Sequence, residues 1–285
     1  MSPTVKGSLF GLAGFGLFSL ADAIIKTLGE GYNSVQIMAF AGLFTLPLIG
    51  LLWLFEGGRL RPVHPWLMAI RTLALIANGL LVTYAFTVLP LAEAYAIFFT
   101  MPLMITLMAW VLLGERISAV AGLAVVIGLI GVLVALDPRG ADLGNGHLAA
   151  AGGAFFAAVH YLIVRKTGGV ESRAAMFLYP LLGQTAGALA LLPGRYAPMA
   201  PMDLGLVCGL TLAGFCGTLL LFAAYRAAPP VVVAPTQYSQ IAWAALFGAL
   251  LFDERMSLQT AIGMAVIALA AILVNLRQDR PIRAH

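Results

Sequence analysis

Ten apolar stretches separated by short polar turns make up almost the whole chain: residues 7–28, 34–55, 66–88, 91–113, 119–136, 148–165, 174–192, 203–226, 231–252 and 257–276. A bilayer core about 30 Å thick takes roughly 20 apolar residues per helical crossing, which is the length of these stretches. They are too long, and too continuously apolar, for the alternating strands of a lipid-facing barrel. A helix, by contrast, satisfies its own backbone N–H and C=O groups without water. The sequence therefore predicts an all-α integral membrane protein with ten transmembrane helices. Composition excludes the soluble classes, because 61% of residues are hydrophobic and only 10% charged, beyond what a soluble core buries. The first stretch follows Lys6 and is too long for a signal-peptide core, so it is read as a retained span.

One segment occurs twice. Leu112-Leu113-Gly114-Glu115-Arg116-Ile117-Ser118 returns as Leu251-Phe252-Asp253-Glu254-Arg255-Met256-Ser257, an offset of 139 positions. At that offset Pro90 falls on Pro229 and Thr100 on Ser239. A duplicated apolar half marks a chain built from two repeats. The reading places the first five-span repeat at residues 1–137, a connecting loop at 138–147, the second repeat at 148–276 and a tail at 277–285. Five is odd, so the second repeat enters the membrane from the opposite side, and the repeats are inverted. That arrangement puts a site near the midplane and permits inward-open and outward-open forms. Of the sixteen Lys and Arg residues, Lys26, Arg139, Arg195 and Arg255 fall on one side and the other twelve on the opposite side, which predicts cytoplasmic termini. The net charge of +4 is ordinary for such a protein and calls for no nucleic-acid partner. The expected location is a bacterial inner membrane, multi-pass, and the expected partners are the lipid bilayer and a small-molecule substrate.

The five-plus-five duplication, the Gly-Glu-Arg and Asp-Glu-Arg turns after spans 4 and 9, and Gly-rich spans 5 and 10 resemble the drug/metabolite transporter superfamily, EamA-type branch, over residues 5–276. Within that branch the chain is most similar to YddG-type exporters of aromatic amino acids. The resemblance implies a secondary carrier with a central cavity lined from both halves and with spans 5 and 10 at the periphery. The near absence of polar residues from spans 5 and 10 and the glycines Gly122, Gly128 and Gly131 suit close helix packing. These spans are assigned to packing or to a homodimer contact.

Polar and aromatic residues within spans carry the remaining information, since each is costly in lipid unless it faces protein or water. Asp22 and Lys26 share a face of span 1. They read either as a self-neutralising pair or as groups that meet a zwitterion or relay a proton. Span 3 carries Asn78, either interhelical glue or cavity lining, and Tyr84; Arg71, near its inner end, is read as reaching the interface. In span 4, Tyr95, Phe99, Pro102 and Thr106 form a stripe, with Pro102 expected to kink the helix. Glu93 is interfacial or a protonatable gate. His160 and Tyr161 lie deep in span 6, where a histidine suits proton coupling, substrate binding or a neutral interhelical bond. Span 9 is richest, with Thr236, Gln237, Tyr238, Ser239, Gln240 and Trp243 near its centre. A second kink is expected at Pro235, which the repeat offset does not superpose on Pro102.

The substrate-binding candidates are thus Asn78, Tyr84, Tyr95, Phe99, His160, Tyr161, Gln237, Tyr238, Gln240 and Trp243. Asp22, Lys26 and Glu93 are the candidates for charge or proton coupling. Aromatic lining suits a flat apolar moiety, and the polar groups suit its other end. The chain contains no phosphate-binding loop and no His-Glu-x-x-His, its four histidines are scattered, and its two cysteines, Cys208 and Cys216, are about two helical turns apart. No cofactor, metal site or enzymatic activity is expected. The functional expectation is alternating-access export of small amphipathic metabolites, amino acids and especially aromatic ones. The alternatives are a drug- or nucleoside-type metabolite carrier and a passive pore.

Overall fold

The computed structural model describes residues 2–56, 61–113, 119–136, 143–167, 170–171, 173–228 and 230–278. The described residues are all-helical, with no strand. The helices are α1 (Pro3–Leu28), α2 (Ser34–Glu56), α3 (Pro65–Val88), α4 (Leu91–Phe98), α5 (Met101–Leu113), α6 (Ala119–Leu136), α7 (Asn145–Thr167), α8 (Arg173–Leu191), α9 (Pro201–Ala227), α10 (Pro230–Val233), α11 (Ser239–Phe252) and α12 (Leu258–Gln278). A 3-10 segment, Ala234–Tyr238, joins α10 to α11. Five helical stretches are long and apolar enough to cross a bilayer: Val5–Leu28, Pro65–Val88, Leu91–Leu112, Asn145–Val164 and Pro201–Ala227. The chain is an all-α integral membrane protein.

Two predicted spans are interrupted, one immediately before its proline and one at it. The expected single helix 91–113 ends at Phe98 and restarts at Met101. Phe99 and Thr100 close the first part, their N–H groups donating to Tyr95 O and Ile97 O, and Met104 N–H takes up Thr100 O. Pro102 is the second residue of α5, where a missing N–H and a fixed φ suit a helix start. With no N–H to offer residue 98 in the helical i to i−4 pattern, it accounts for the break immediately before it. In the second repeat the backbone tightens to 3-10 over Ala234–Tyr238 and resumes as α11 at Ser239. By the 139-residue offset, Phe99-Thr100 corresponds to Tyr238-Ser239. Both interruptions fall at the expected prolines, and they meet at the equivalent positions Phe99 and Tyr238 although the prolines themselves do not superpose.

The chain forms two compact units. One consists of Met1–Leu20, Pro90–Leu143 and Cys216–His285, the other of Ala21–Leu89 and Gly144–Phe215. Each takes segments from both sequence halves.

In the first unit α6 packs along α12 so closely that a β-carbon at Gly131 would lie 2.9 Å from Gly263 O, and one at Gly263 would collide with the Ala135 and Gly131 backbone. Thr260 Oγ1 adds a hydrogen bond to Ala135 O, 3.2 Å. Gly131 of span 5 is thus used against span 10 of the same chain, while Gly128 faces Leu103 of α5. Leu123, Leu129, Ile130 and Leu133 remain exposed on α6. The second copy of the repeated motif ends α11: Asp253 is left-handed (φ 53°) and Glu254 N–H returns to Gly248 O. The Glu254 carboxylate accepts the Leu91 N–H at 3.1 Å, giving the first turn of α4 an acceptor that the helix itself cannot supply. Glu115 and Arg116, in the first copy, lie outside the described residues.

In the second unit Ala21, Leu28, Ile37, Val207, Leu210 and Ala213 form an apolar core between α1, α2 and α9. Polar ties close its ends. Gln36, fully buried, exchanges two hydrogen bonds with the Ala197 backbone, and Tyr32 OH donates to Asp203 at 2.6 Å. At the α2–α3 turn, Glu171 accepts the Val63 and His64 N–H groups at 3.0 and 2.7 Å.

Candidate functional site

The first unit gathers aromatic and hydrogen-bonding residues at the two interruptions. Tyr95 and Phe99 are buried at 4% and 2% exposure. One turn apart, their rings stack with centroids 5.9 Å apart. Phe99 then meets Tyr238 at 5.4 Å in a tilted contact. Gln240 Nε2 donates to Tyr95 OH at 3.3 Å, and that hydroxyl donates to Ser19 Oγ at 3.2 Å. A relay of donors thus runs from α11 through α4 to α1. Trp243, one turn beyond Gln240, lays its indole against Gly16, where a β-carbon would approach it to 3.0 Å, and stacks on Phe247 at 6.0 Å.

Ser239 is the repeat counterpart of Thr100. Thr100 donates its hydroxyl to Ile97 O, whereas Ser239 Oγ is buried with no hydrogen-bond partner, the one such side-chain atom among the described residues. A buried hydroxyl without a partner costs about 1–3 kcal/mol. Gln237 sits on the 3-10 segment, half-buried, and its side chain makes no hydrogen bond among the described residues. Glu93 lies in the first turn of α4.

The other predicted residues belong to the second unit. Asn78 Nδ2 donates to Gly153 O at 2.9 Å, tying α3 to α7. Tyr84 is half-buried on α3. Lys26 Nζ donates to Leu89 O at the end of the same helix, and Asp22 lies one turn before it on α1. His160 and Tyr161 make an edge-on ring contact at 4.9 Å, with Tyr161 half exposed. The expectation that Arg71 reaches the interface is corrected: it is buried at 6% exposure. Its Nε donates to His160 Nδ1 at 3.2 Å, and Nη1 donates to Met176 O at 2.6 Å. The neighbouring helices α7 and α8 offer acceptors at the depth of its head group, so the side chain turns inward.

Ser19 is passed over by the sequence reading, whereas Ser239, in the polar run of span 9, and Arg71 are noted there but stand outside the substrate-binding candidates. Ser19 carries a weak signal, a lone hydroxyl deep within an apolar helix. Ser239 carries a stronger one through its alignment with Thr100.

The EamA-like transporter family matches the chain twice, over residues 5–136 and 144–276. The chain is 26% identical to an S-adenosylmethionine uptake transporter of Rickettsia felis, covering 96% of this chain and 95% of that one. It is 29% identical to a riboflavin transporter of Rhizobium johnstonii, covering 98% and 95%. A solved crystal structure shares the fold with a TM-score of 0.67 at 20% identity, over 96% of this chain and 98% of the other. With both halves of an all-helical, apolar chain matched, the protein belongs to the EamA-like transporter family and is a multi-pass membrane transporter.

Proposed function

We propose that this transporter is a secondary carrier for small solutes with a flat, partly apolar moiety and a polar end, and that it works by alternating access between inverted five-span repeats. The observation that carries the reading is the pair of interruptions at equivalent places in the repeats. Irregular backbone within a span is tolerated where protein buries it or a water-filled path meets it, and broken helices mark the binding region in many repeat-built carriers. Here the interruptions carry stacked rings and a hydroxyl with an unmet bond. Tyr95, Phe99, Tyr238 and Trp243 supply ring faces; Ser239, Gln237 and Gln240 supply polar contacts. Ten spans, cytoplasmic termini and a bacterial inner membrane complete the proposal, supported by the double family match and the distribution of cations.

Aromatic amino acids fit this description, and their export is the narrower reading. The relatives' names favour a broader class, since S-adenosylmethionine and riboflavin each carry a flat heteroaromatic ring system, and one of those relatives is named for uptake. A homodimer through the exposed face of α6 is compatible with the packing of α6 on α12.

The test is counterflow in liposomes loaded with unlabelled solute and offered labelled phenylalanine, S-adenosylmethionine or riboflavin. Saturable trans-stimulated uptake of one of them supports the carrier and names its class. Unsaturable flux without trans-stimulation would identify a pore, and equal uptake by protein-free vesicles would sink the proposal for these solutes.

A further inference from the structure

We infer that Arg71 anchors an anion subsite in the second unit, shaped for the carboxylate of a solute. The inference rests on the transporter reading for its purpose but not for its geometry. Arg71 lies six residues into α3, about 9 Å along the helix axis from its start. All its acceptors are neutral: His160 Nδ1, Met176 O and, at 3.6 Å, Met68 Sδ. Because His160 accepts at Nδ1, it holds its proton on Nε2 and carries no charge. A guanidinium stays protonated in proteins, so the cluster has a net positive charge.

No carboxylate of the described residues pairs with it. Glu171 is bound to the Val63 and His64 N–H groups, and Asp203 accepts from Tyr32. A buried cation left with dipoles alone is disfavoured relative to a paired one. If the side chain served only to tie α3 to α7 and α8, an uncharged donor would do the same without that cost.

The guanidinium also has an open edge. Nε and Nη1 are engaged, while Nη2 has no hydrogen bond among the described residues. Two N–H bonds on one planar nitrogen, beside a fixed positive charge, favour an anionic oxygen. The same chemistry is offered by a solute carboxylate, free phosphate and a lipid phosphate. The burial of Arg71 favours the smallest and flattest of these.

The test uses the full-length protein in phosphatidylcholine nanodiscs, following its thermal unfolding midpoint against benzoate, uncharged benzamide and inorganic phosphate. Benzoate is expected to raise the midpoint saturably and benzamide to leave it unchanged. Arg71→Gln should abolish the response, and Arg71→Lys, which keeps the charge but loses the planar fork, should weaken it at least tenfold. Should Arg71→Gln fail to fold, the Lys variant decides alone. An undiminished response in these variants, a matching response to benzamide, or stabilisation only by phosphate or by added phosphatidylglycerol would overturn the carboxylate assignment. Counterflow of a solute in wild type that Arg71→Lys leaves unchanged, together with no benzoate response, refutes the subsite and spares the carrier. Arg71-dependent benzoate binding without counterflow of any solute does the reverse.

Discussion

Phe99 and Tyr238 occupy the same position in the two halves of the chain, 139 residues apart, and their ring centroids lie 5.4 Å from each other. Contact between equivalent positions is what a two-fold relation between repeats produces, and both residues end an interrupted stretch of helix. Replacing either with alanine is expected to reduce counterflow at least tenfold while the protein stays folded. A double-mutant cycle on unfolding should return a coupling of about 0.5–1.5 kcal/mol, typical of an aromatic pair. Additive effects on unfolding, or wild-type counterflow in both variants, would detach the pair from the site.

At the α6–α12 contact the expected effect is on stability. Gly263→Ala puts a methyl group into the Ala135 and Gly131 backbone, and overpacking of this kind costs about 1–3 kcal/mol. The unfolding midpoint in detergent should fall accordingly. Gly205→Ala, where a β-carbon meets nothing within 4 Å, is the control and should leave it unchanged.

The second copy of the repeated motif separates into two roles. Asp253 needs a left-handed backbone, so Asp253→Gly should be tolerated while Asp253→Val costs about 1–2 kcal/mol. Its counterpart at the repeat offset is Gly114, the residue that takes such a conformation most readily. Glu254→Ala removes the acceptor for Leu91 N–H and should cost about 1 kcal/mol, as loss of a helix cap does. Unfolding midpoints of the three variants measure both roles.

Glu171 gives the α2–α3 turn an acid sensitivity. Burial raises the pKa of its carboxyl, but the Val63 and His64 N–H donors and the His64 imidazole outweigh burial and hold it below the ordinary value. A depressed carboxyl contributes stability that is complete above its unfolded pKa and disappears as pH falls through the lower folded one. Glu171→Gln should therefore lower the midpoint at neutral pH, with the gap from wild type closing as the medium is acidified below about pH 4. A gap that stays constant into acid would refute this account.

Helix positions were legible because each crossing needs a fixed length of apolar residues. Most boundaries fall within three residues of the apolar stretches, as α3 (Pro65–Val88) and α9 (Pro201–Ala227) do. The interruptions were legible only through Pro102 and Pro235, since hydrophobicity reports length without continuity. The prolines pointed to them for a physical reason: each lacks the N–H of the i to i−4 bond, so a break before Pro102 and a 3-10 segment over Pro235 follow. For the site, Tyr95, Phe99, Tyr238 and Gln240 could be singled out as polar or aromatic groups at mid-span. The inward turn of Arg71 could not, because its acceptors His160 and Met176 lie 89 and 105 residues away.

The way the units are threaded bears on how the protein is made. One unit is assembled from Ala21–Leu89 and Gly144–Phe215, and the other needs Met1–Leu20, Pro90–Leu143 and Cys216–His285. Neither is complete when the first half of the chain has left the ribosome, so the early helices must wait in the membrane with parts of their packing faces uncovered. The second unit lacks its last segment until Phe215 has been synthesised, and the first until α12 has followed. Completion of the first unit thereby waits for α12, and a chain cut before that helix is deprived of a complete structural body, not merely of one helix.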